Sequence, residues 1–183
     1  MRYLFGLLAL LAAALLGSGH DLLAKGGIPR AGSRYTDLDL DRCTRLSFVE
    51  EGESVEWRCP GHAGIALFVS SGDGRFDVDA GVRNQWFETQ PPFNQPGPRV
   101  EWRVRTGRPF AIIHRLMLLD GNRRGHSVLG VSRIGRSDAP GCLVGWIDGD
   151  MPNANQAARD LADRTALRFR CGRDSPELVG RVR

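Results

Sequence analysis

Four cysteines restrict the folds open to this chain more than any other feature of its sequence. They stand at Cys43, Cys59, Cys142 and Cys171. An even number of cysteines in an exported chain predicts structural disulfides, and four cysteines allow three pairings. The Cys-x-x-Cys spacing typical of a redox-active thiol pair does not occur. We therefore expect two structural disulfides, provided that the chain reaches an oxidising compartment.

The N-terminus predicts that the chain is exported. Arg2 supplies a positive charge, and an uninterrupted apolar run of 13 residues follows from Leu4 to Leu16. A transmembrane helix needs about 20 such residues, so this run is typical of a cleavable signal peptide rather than of an anchor. Small residues predict cleavage after Gly19, with a second candidate site after Ala24.

Cleavage would divide the chain into three parts. We expect a signal peptide at residues 1–19, a flexible N-terminus at residues 20–35 and a single disulfide-bonded domain at residues 36–183. The mature protein would be periplasmic or secreted, with no insertion into the membrane.

The charge of the chain argues against one class of partner. The formal net charge is only +4 over 183 residues, and Lys25 is the only lysine among 25 basic residues. A GC-rich coding sequence explains this preference for arginine, and selection for bidentate recognition of carboxylate or phosphate is the alternative. Because the charge is not concentrated in one segment, we expect no nucleic-acid partner.

The pattern around the cysteines favours the pairing Cys43–Cys59 with Cys142–Cys171. Residues 43–59 alternate as two short strands around an acidic turn. Folding them into a hairpin, with a one-residue bulge if the turn needs it, places the first two cysteines opposite each other. The second bond would close a strand–helix–strand unit.

Short alternating runs separated by glycine and proline dominate the rest of the chain. Valine, tryptophan and valine share one face of residues 100–105, and residues 109–119 are apolar on both faces, which predicts the central strand. Residues 89–99 hold four prolines and are expected to form an extended surface loop, because proline lacks the amide donor of a strand ladder. Further predicted strands are 65–69, 76–79, 127–134, 142–147 and 167–171.

One helix is predicted, beginning near Asn153. Asn153 and Gln156 have the spacing of a capping box. Small apolar residues form one narrow stripe at helical spacing, namely Ala154, Ala157, Ala158, Leu161 and Ala162. The expected fold class is α+β: a largely antiparallel sheet of about seven to eight strands with one C-terminal helix packed on one face, and two disulfides.

An Asp-x-Asp-x-Asp run has the ligand chemistry of a calcium loop. Asp37, Asp39 and Asp41 match the start of an EF-hand, but Arg42 and Phe48 stand where that loop needs glycine and glutamate. We therefore expect these aspartates to face solvent next to the predicted hairpin.

A second oxygen-rich group crowds the connection to the predicted helix. Asp148, Asp150, Asn153 and Asn155 offer ligands for a hard cation. Turn chemistry, with acidic residues favoured near a helix N-terminus, explains the same residues. The sequence predicts neither a metal site nor a cofactor.

Two histidines have distinct surroundings. On an ideal strand His114 shares a face with Ile112 and Leu116, which predicts a hydrogen-bonded core histidine. His62 lies in a glycine-flanked loop and has the chemistry of a general base, so a hydrolase with a His62-centred site is an alternative function. No serine has the Gly-x-Ser-x-Gly spacing of a nucleophile elbow, and no catalytic residue is assigned.

Aromatic residues, prolines and arginines concentrate between residues 86 and 108, and such residues are enriched at recognition sites. The candidate binding residues are Trp86, Phe87, Phe93, Trp102, Arg103 and Arg105. The competing interpretation is a crossover between sheets whose aromatic side chains cap the core. The sequence thus predicts a non-enzymatic binding or interaction domain of the cell envelope, with an envelope protein or a cell-wall component as its partner.

The chain resembles a group of small exported proteobacterial proteins that have no assigned activity. The resemblance covers most of the mature chain. It rests on the segments Tyr35-Thr36-Asp37-Leu38-Asp39 with Cys43, Arg58-Cys59-Pro60-Gly61, Pro91-Pro92-Phe93-Asn94, Asn153-Ala154-Asn155 and Phe169-Arg170-Cys171-Gly172. It implies export and disulfide bonding and carries over no functional residue.

Periplasmic lysozyme inhibitors are a second comparison, because they too are small, exported, β-rich and cysteine-containing. One group of them uses a Ser-Gly-x-x-Tyr loop. Here the run Ser71-Gly72-Asp73-Gly74 is followed by Arg75 where that loop has tyrosine. A lysozyme-inhibitor-like function is therefore only an alternative.

Overall fold

The structure is a computed structural model and describes residues 30–49, 54–91, 93–119 and 125–182. The predicted signal peptide and both predicted cleavage sites lie outside these residues. No helix in the described part of the chain has the length and apolar character needed to cross a membrane.

The described residues contain ten strands and one α-helix. The strands are β1 (Gly32–Asp37), β2 (Thr44–Val49), β3 (Ser54–His62), β4 (Ile65–Gly72), β5 (Arg75–Ala80), β6 (Asn94–Arg105), β7 (Arg108–Leu118), β8 (Ser127–Arg133), β9 (Cys142–Asp148) and β10 (Glu177–Val179). The helix α1 (Ala154–Leu161) continues as a π-helical segment to Ala166.

The strands form two sheets. Sheet A has six strands in the order β1-β6-β7-β8-β9-β10, and sheet B has four in the order β2-β3-β4-β5. Every neighbouring pair is antiparallel except β9 and β10, which are parallel. The predicted fold class, mostly antiparallel sheet with a single C-terminal helix, is confirmed. The strands number more than expected and divide between two sheets.

Sheet A is the middle layer of the molecule, because both of its faces are buried. One face packs on sheet B, through a cluster that includes Leu67, Val78, Val100, Trp102 and Ile112. The opposite face packs on the helix, through a cluster that includes Ile113, Val131, Val144, Ala158 and Leu161. Strand β7 contributes to both clusters, which confirms it as the central, doubly buried strand.

Both disulfides have the favoured pairing, Cys43–Cys59 and Cys142–Cys171. A one-residue bulge interrupts the β2–β3 register between Arg45 and Ser47. The bulge aligns the hairpin so that the first two cysteines meet across it. The second bond joins the start of β9 to the segment that follows the helix.

The helix begins where expected, but the predicted capping box is wrong. Asn153 has a left-handed backbone with φ of 63° and makes no side-chain cap, because that conformation does not direct its side chain to the first amides. Gln156 donates instead to Asp160. The predicted apolar stripe is confirmed, since Ala158, Leu161 and the rest of the stripe are buried or packed against the core.

The predicted closing strand at 167–171 is wrong. The chain turns there, with the carbonyl of Arg170 accepting from the amides of Arg173 and Asp174. This turn brings Cys171 to Cys142, and only afterwards does the chain extend as β10, parallel to β9. The disulfide, rather than the alternation of residue types, decides the local backbone.

Two predicted irregular segments belong to sheet A. Residues 32–35 of the predicted flexible N-terminus lie in β1, which pairs with β6. Residues 94–99 of the predicted surface loop lie in β6, and Asn94 is fully buried. Their prolines are accommodated because the β6–β7 register shifts between Pro96 and Val100.

Candidate functional site

The outer face of sheet B carries a groove that we call the aromatic groove. It has a volume of about 630 Å³. Residues 83–87 form one wall and Leu46 and Ser47 of β2 form the other, while residues of β3, β4 and β5 line its floor. The lining includes the side chains of Leu46, Ser47, Ser54, Glu56, Phe68, Ser70, Asp79, Arg83, Trp86 and Phe87.

Exposed apolar side chains stand on both walls of the aromatic groove. Leu46, Trp86 and Phe87 are 46%, 41% and 44% exposed. Phe87 lies against Gly72 and Trp86 against Gly172, with 3.7 to 3.8 Å from each ring to the position a glycine Cβ would take. The aromatic rings are therefore supported from below and open to a ligand above.

The charged side chains of the aromatic groove neutralise each other. Arg83 forms a 2.7 Å ion pair with Glu56, whose second oxygen accepts from Ser47 Oγ at 2.9 Å. The pair joins the wall formed by residues 83–87 to the floor. Hydroxyl groups of Ser54 and Ser70 lie on the same lining.

Three carboxyl groups, which we call the acid cluster, hold residues 81–91 against β5. Asp77 and Asp79 are buried, and Glu88 is half-buried. Asp79 accepts from Asn84 Nδ2 at 2.9 Å, and Asp77 accepts from the Glu88 amide at 3.0 Å. Glu88 in turn accepts from the amide of Leu143, at the start of β9, at 2.7 Å. Every one of these hydrogen-bond donors is a neutral N–H group.

Burial without a charged partner changes the acidity of the cluster. Burial raises the pKa of Asp77 to about 7 and that of Asp79 to about 8, with a further contribution from the neighbouring carboxyl groups. Burial also raises the pKa of Glu88. Asp79 lines the aromatic groove, so at neutral pH it presents a mostly protonated, uncharged carboxyl there.

The six candidate binding residues do not form one surface. Trp86 and Phe87 lie in the aromatic groove. Phe93 is exposed but lines a separate hollow of about 340 Å³. Trp102 is fully buried between the sheets and donates to Thr36 Oγ1, so it is unable to meet a partner at the surface.

Arg103 and Arg105 point to the helix side of sheet A. Arg103 is 5% exposed and binds Asp163 through two hydrogen bonds of 2.7 and 2.9 Å. Arg105 donates to the Asp163 carbonyl and lies over the Phe110 ring. Both arginines join β6 to the segment that continues the helix.

The histidines occupy different environments. His62 is half-buried beside Trp102, and no carboxylate in the described residues lies within ion-pair distance of it. His114 is a core residue, as predicted, but the predicted hydrogen bond is wrong. Within the described residues neither of its ring nitrogens has a partner, and burial lowers its pKa to about 4. It packs edge-on against Trp146 because Gly130 leaves room for its ring.

A third histidine completes the group of ligand-type residues near the helix. His126, Asp148 and Asp150 place one ligand atom each within 4.8 Å of the others. Their oxygens are already engaged, since Asp150 contacts His126 and the Ser127 amide, and Asp148 accepts from the amides of Asp150 and Arg181. These bonds fix the turn after β9 and the chain beyond β10. Asn155 accepts a hydrogen bond from Arg115 at 3.2 Å, and Asn153 directly precedes the helix.

The N-terminal aspartates serve a local turn. Asp39 accepts from the Asp41 amide and caps a short 3₁₀ helix at Leu40–Arg42. Leu38, between the aspartates, is buried at 6% exposure. The turn delivers the chain from β1 of sheet A to β2 of sheet B.

Sequence reasoning missed the polar floor of the aromatic groove. Alternation along β5 indicates that Asp77 and Asp79 face away from the core, which is correct. It does not indicate that residues 81–91 cover them. The usable signal is the presence of polar residues such as Asn84 soon after β5, because an amide side chain can donate to a buried carboxyl group.

Comparison with protein-family models, with curated proteins and with solved structures finds no match, so the functional argument rests on the residues of the aromatic groove.

Proposed function

We propose that this protein is an exported, non-enzymatic binding domain of the cell envelope, and that its aromatic groove binds a glycan of the cell wall. One observation carries the proposal: exposed aromatic rings stand over a floor of hydroxyl and carboxyl groups with almost no net charge. The disulfides and the predicted signal peptide support export.

The charges of the groove select the class of ligand. Glu56 and Arg83 cancel each other, and Asp79 is mostly protonated at neutral pH. A strongly charged ligand would therefore gain little electrostatic binding energy in this groove. A sugar chain offers apolar C–H faces for the rings of Trp86 and Phe87 and hydroxyl groups for the polar floor.

The proposal is for binding rather than hydrolysis. Glu56 is paired with Arg83 and Asp79 is bonded to Asn84. Both carboxyl groups are thus fixed by structural partners rather than presented to a reacting bond. His62, the candidate general base, is not among the residues that line the groove.

Sedimentation with purified peptidoglycan tests this function. We expect the mature protein to pellet with the insoluble glycan, and Trp86→Ala to reduce the apparent affinity about tenfold, because it removes an exposed ring at the rim. Phe93→Ala is the matched control, since it removes an aromatic ring that is even more exposed than Trp86 but lies outside the groove.

Three results would overturn the proposal. The first is no pelleting of the wild-type protein, and the second is an equal loss in Trp86→Ala and Phe93→Ala. The third is release of soluble fragments by the wild type that Asp79→Asn or His62→Ala abolishes, which would make the protein a hydrolase. If the protein instead captures an envelope protein and not glycan, and Trp86→Ala weakens that capture, the aromatic groove is a binding site for a protein rather than for a glycan.

A further inference from the structure

A second groove, which we call the basic groove, opens where the two sheets and the end of the helical segment meet. It has a volume of about 670 Å³. The turn before β4, the residues after β5, the start of β7 and the end of β8 all reach it. Phe68 of β4 lines both grooves, but Trp86 and Phe87, on which the function proposed above depends, do not line this one.

The charge of the basic groove is of one sign. Arg58, Arg108, Arg133 and Arg136 line it, and no acidic side chain does. Arg133 donates to the Phe169 carbonyl, and Arg136 pairs with an aspartate at the surface. Arg58 and Arg108 are exposed, and neither has an acidic partner within the described residues.

The same groove has an apolar lining. Phe110 and Ile134 are buried at its base, each 7% exposed. Val82 and Leu167 are apolar side chains left 43% and 52% exposed on its walls. Exposed apolar side chains, next to two guanidinium groups that have no acidic partner among the described residues, distinguish this groove from an ordinary basic surface.

From this combination we infer that the basic groove binds a single-chain amphiphilic anion, with an acyl or alkyl chain among the apolar side chains and a carboxylate or phosphate head at Arg58 and Arg108. A guanidinium group binds either head through two parallel hydrogen bonds. A free inorganic anion would leave the apolar lining unused, and an uncharged lipid would leave the arginines unpaired.

Calorimetric titration with four probes tests the two parts of the ligand separately. Dodecyl phosphate, below its micelle concentration, has both head and chain. Inorganic phosphate has only the head, and dodecyl maltoside has the chain with an uncharged head. We expect saturable binding of dodecyl phosphate, at least tenfold tighter than that of either other probe. Dodecanoate, with the other head, should bind within about tenfold of dodecyl phosphate.

Substitutions place the binding in the groove. Arg58→Gln with Arg108→Gln should weaken dodecyl phosphate at least tenfold, and Leu167→Ser should weaken it severalfold by removing an exposed part of the lining. Arg42→Gln with Arg99→Gln is the matched control, because it removes the same charge from two exposed arginines outside the groove. The altered side chains are exposed, and an unchanged melting temperature checks that each variant is folded.

The inference fails if inorganic phosphate or dodecyl maltoside binds as tightly as dodecyl phosphate, or if the control pair weakens binding as much as the groove pair. It also fails if the protein binds vesicles of phosphatidylglycerol but not the monomeric amphiphile, since that result means attraction to a charged membrane surface. None of these results bears on glycan binding in the aromatic groove.

Discussion

Two clusters of buried and half-buried carboxyl groups lie on opposite sides of the molecule and are compensated in different ways. On the helix side, Glu101 and Asp163 contact the guanidinium groups of Arg103 and Arg159. On the outer face of sheet B, the acid cluster is bonded only to neutral N–H groups. The first group is paired with arginines, whereas burial raises the pKa of the carboxyl groups in the second.

The difference shows that burial alone does not decide the state of an acidic side chain. Glu101 is as buried as Asp79, at 7% against 8% exposure. The arginines beside Glu101 supply the opposite charge that a buried carboxylate needs, whereas Asp79 has Asp77 and Glu88 as neighbours and escapes the cost of burial by holding a proton. The first arrangement is sensitive to loss of a partner and the second is sensitive to pH.

Removing the paired cation should have the largest effect. Arg103→Leu leaves Asp163 without its bidentate partner and buries Glu101 beside one arginine fewer, so we expect a loss of about 3 to 5 kcal/mol in the free energy of unfolding. Urea denaturation measures this loss. Arg99→Gln, an exposed arginine on the same strand, is the control and should change stability little. A loss below about 1 kcal/mol would show that the pair does not compensate the buried charge.

The acid cluster should make the protein less stable as pH rises. The pKa values of its carboxyl groups are raised on folding, so between about pH 4 and pH 8 the folded protein binds more protons than the unfolded chain. The stabilising contribution is therefore complete below the unfolded pKa and is lost as pH rises through the folded pKa.

Urea titrations at pH 5 and pH 8 measure this effect. We expect a lower free energy of unfolding at pH 8 than at pH 5, because the unfolded chain gives up these protons at lower pH than the folded protein does. Asp79→Asn is uncharged at both pH values and should remove much of the fall. Equal pH dependence in the wild type and this variant would mean that Asp79 is already ionised in the folded protein.

An exposed pair of the same residue types should have the smallest effect. Arg170 and Asp174 are hydrogen-bonded at the surface, where water screens their interaction. Arg170→Gln should leave the urea midpoint unchanged within experimental error, at low and at high salt. A clear shift would contradict the view that burial gives the Arg103 network its importance.

Local patterns predicted much of the fold correctly. The cysteine pairing followed from the Cys43–Cys59 hairpin, because cross-strand distance is set by a few residues of chain. The doubly apolar run at 109–119 identified the central strand of sheet A. Strands β1 and β10 had no such signal, since β1 is mostly exposed and β10 has only three residues. The division into two sheets depends on contacts between distant segments.

The candidate site was predictable only in part. Trp86 and Phe87 followed from the enrichment of aromatic residues at recognition surfaces, but Trp102 has the same character and lies in the core. Residue type does not reveal which face of β6 sheet B covers. Predicting the polar floor requires knowing that residues 81–91 fold back over β5. The periodicity of the sequence contains no signal for that contact.

The bulge in β2 has a consequence for how copies of this protein meet. Strand β2 is an edge of sheet B and exposes Leu46 and Phe48. A regular edge of this kind can pair with a strand from another copy of the protein, and such pairing leads to aggregation. The break between Arg45 and Ser47 disturbs the even spacing of its free amide and carbonyl groups. The bulge that aligns Cys43 with Cys59 thus also hinders the apolar edge strand β2 from pairing with β2 of another copy.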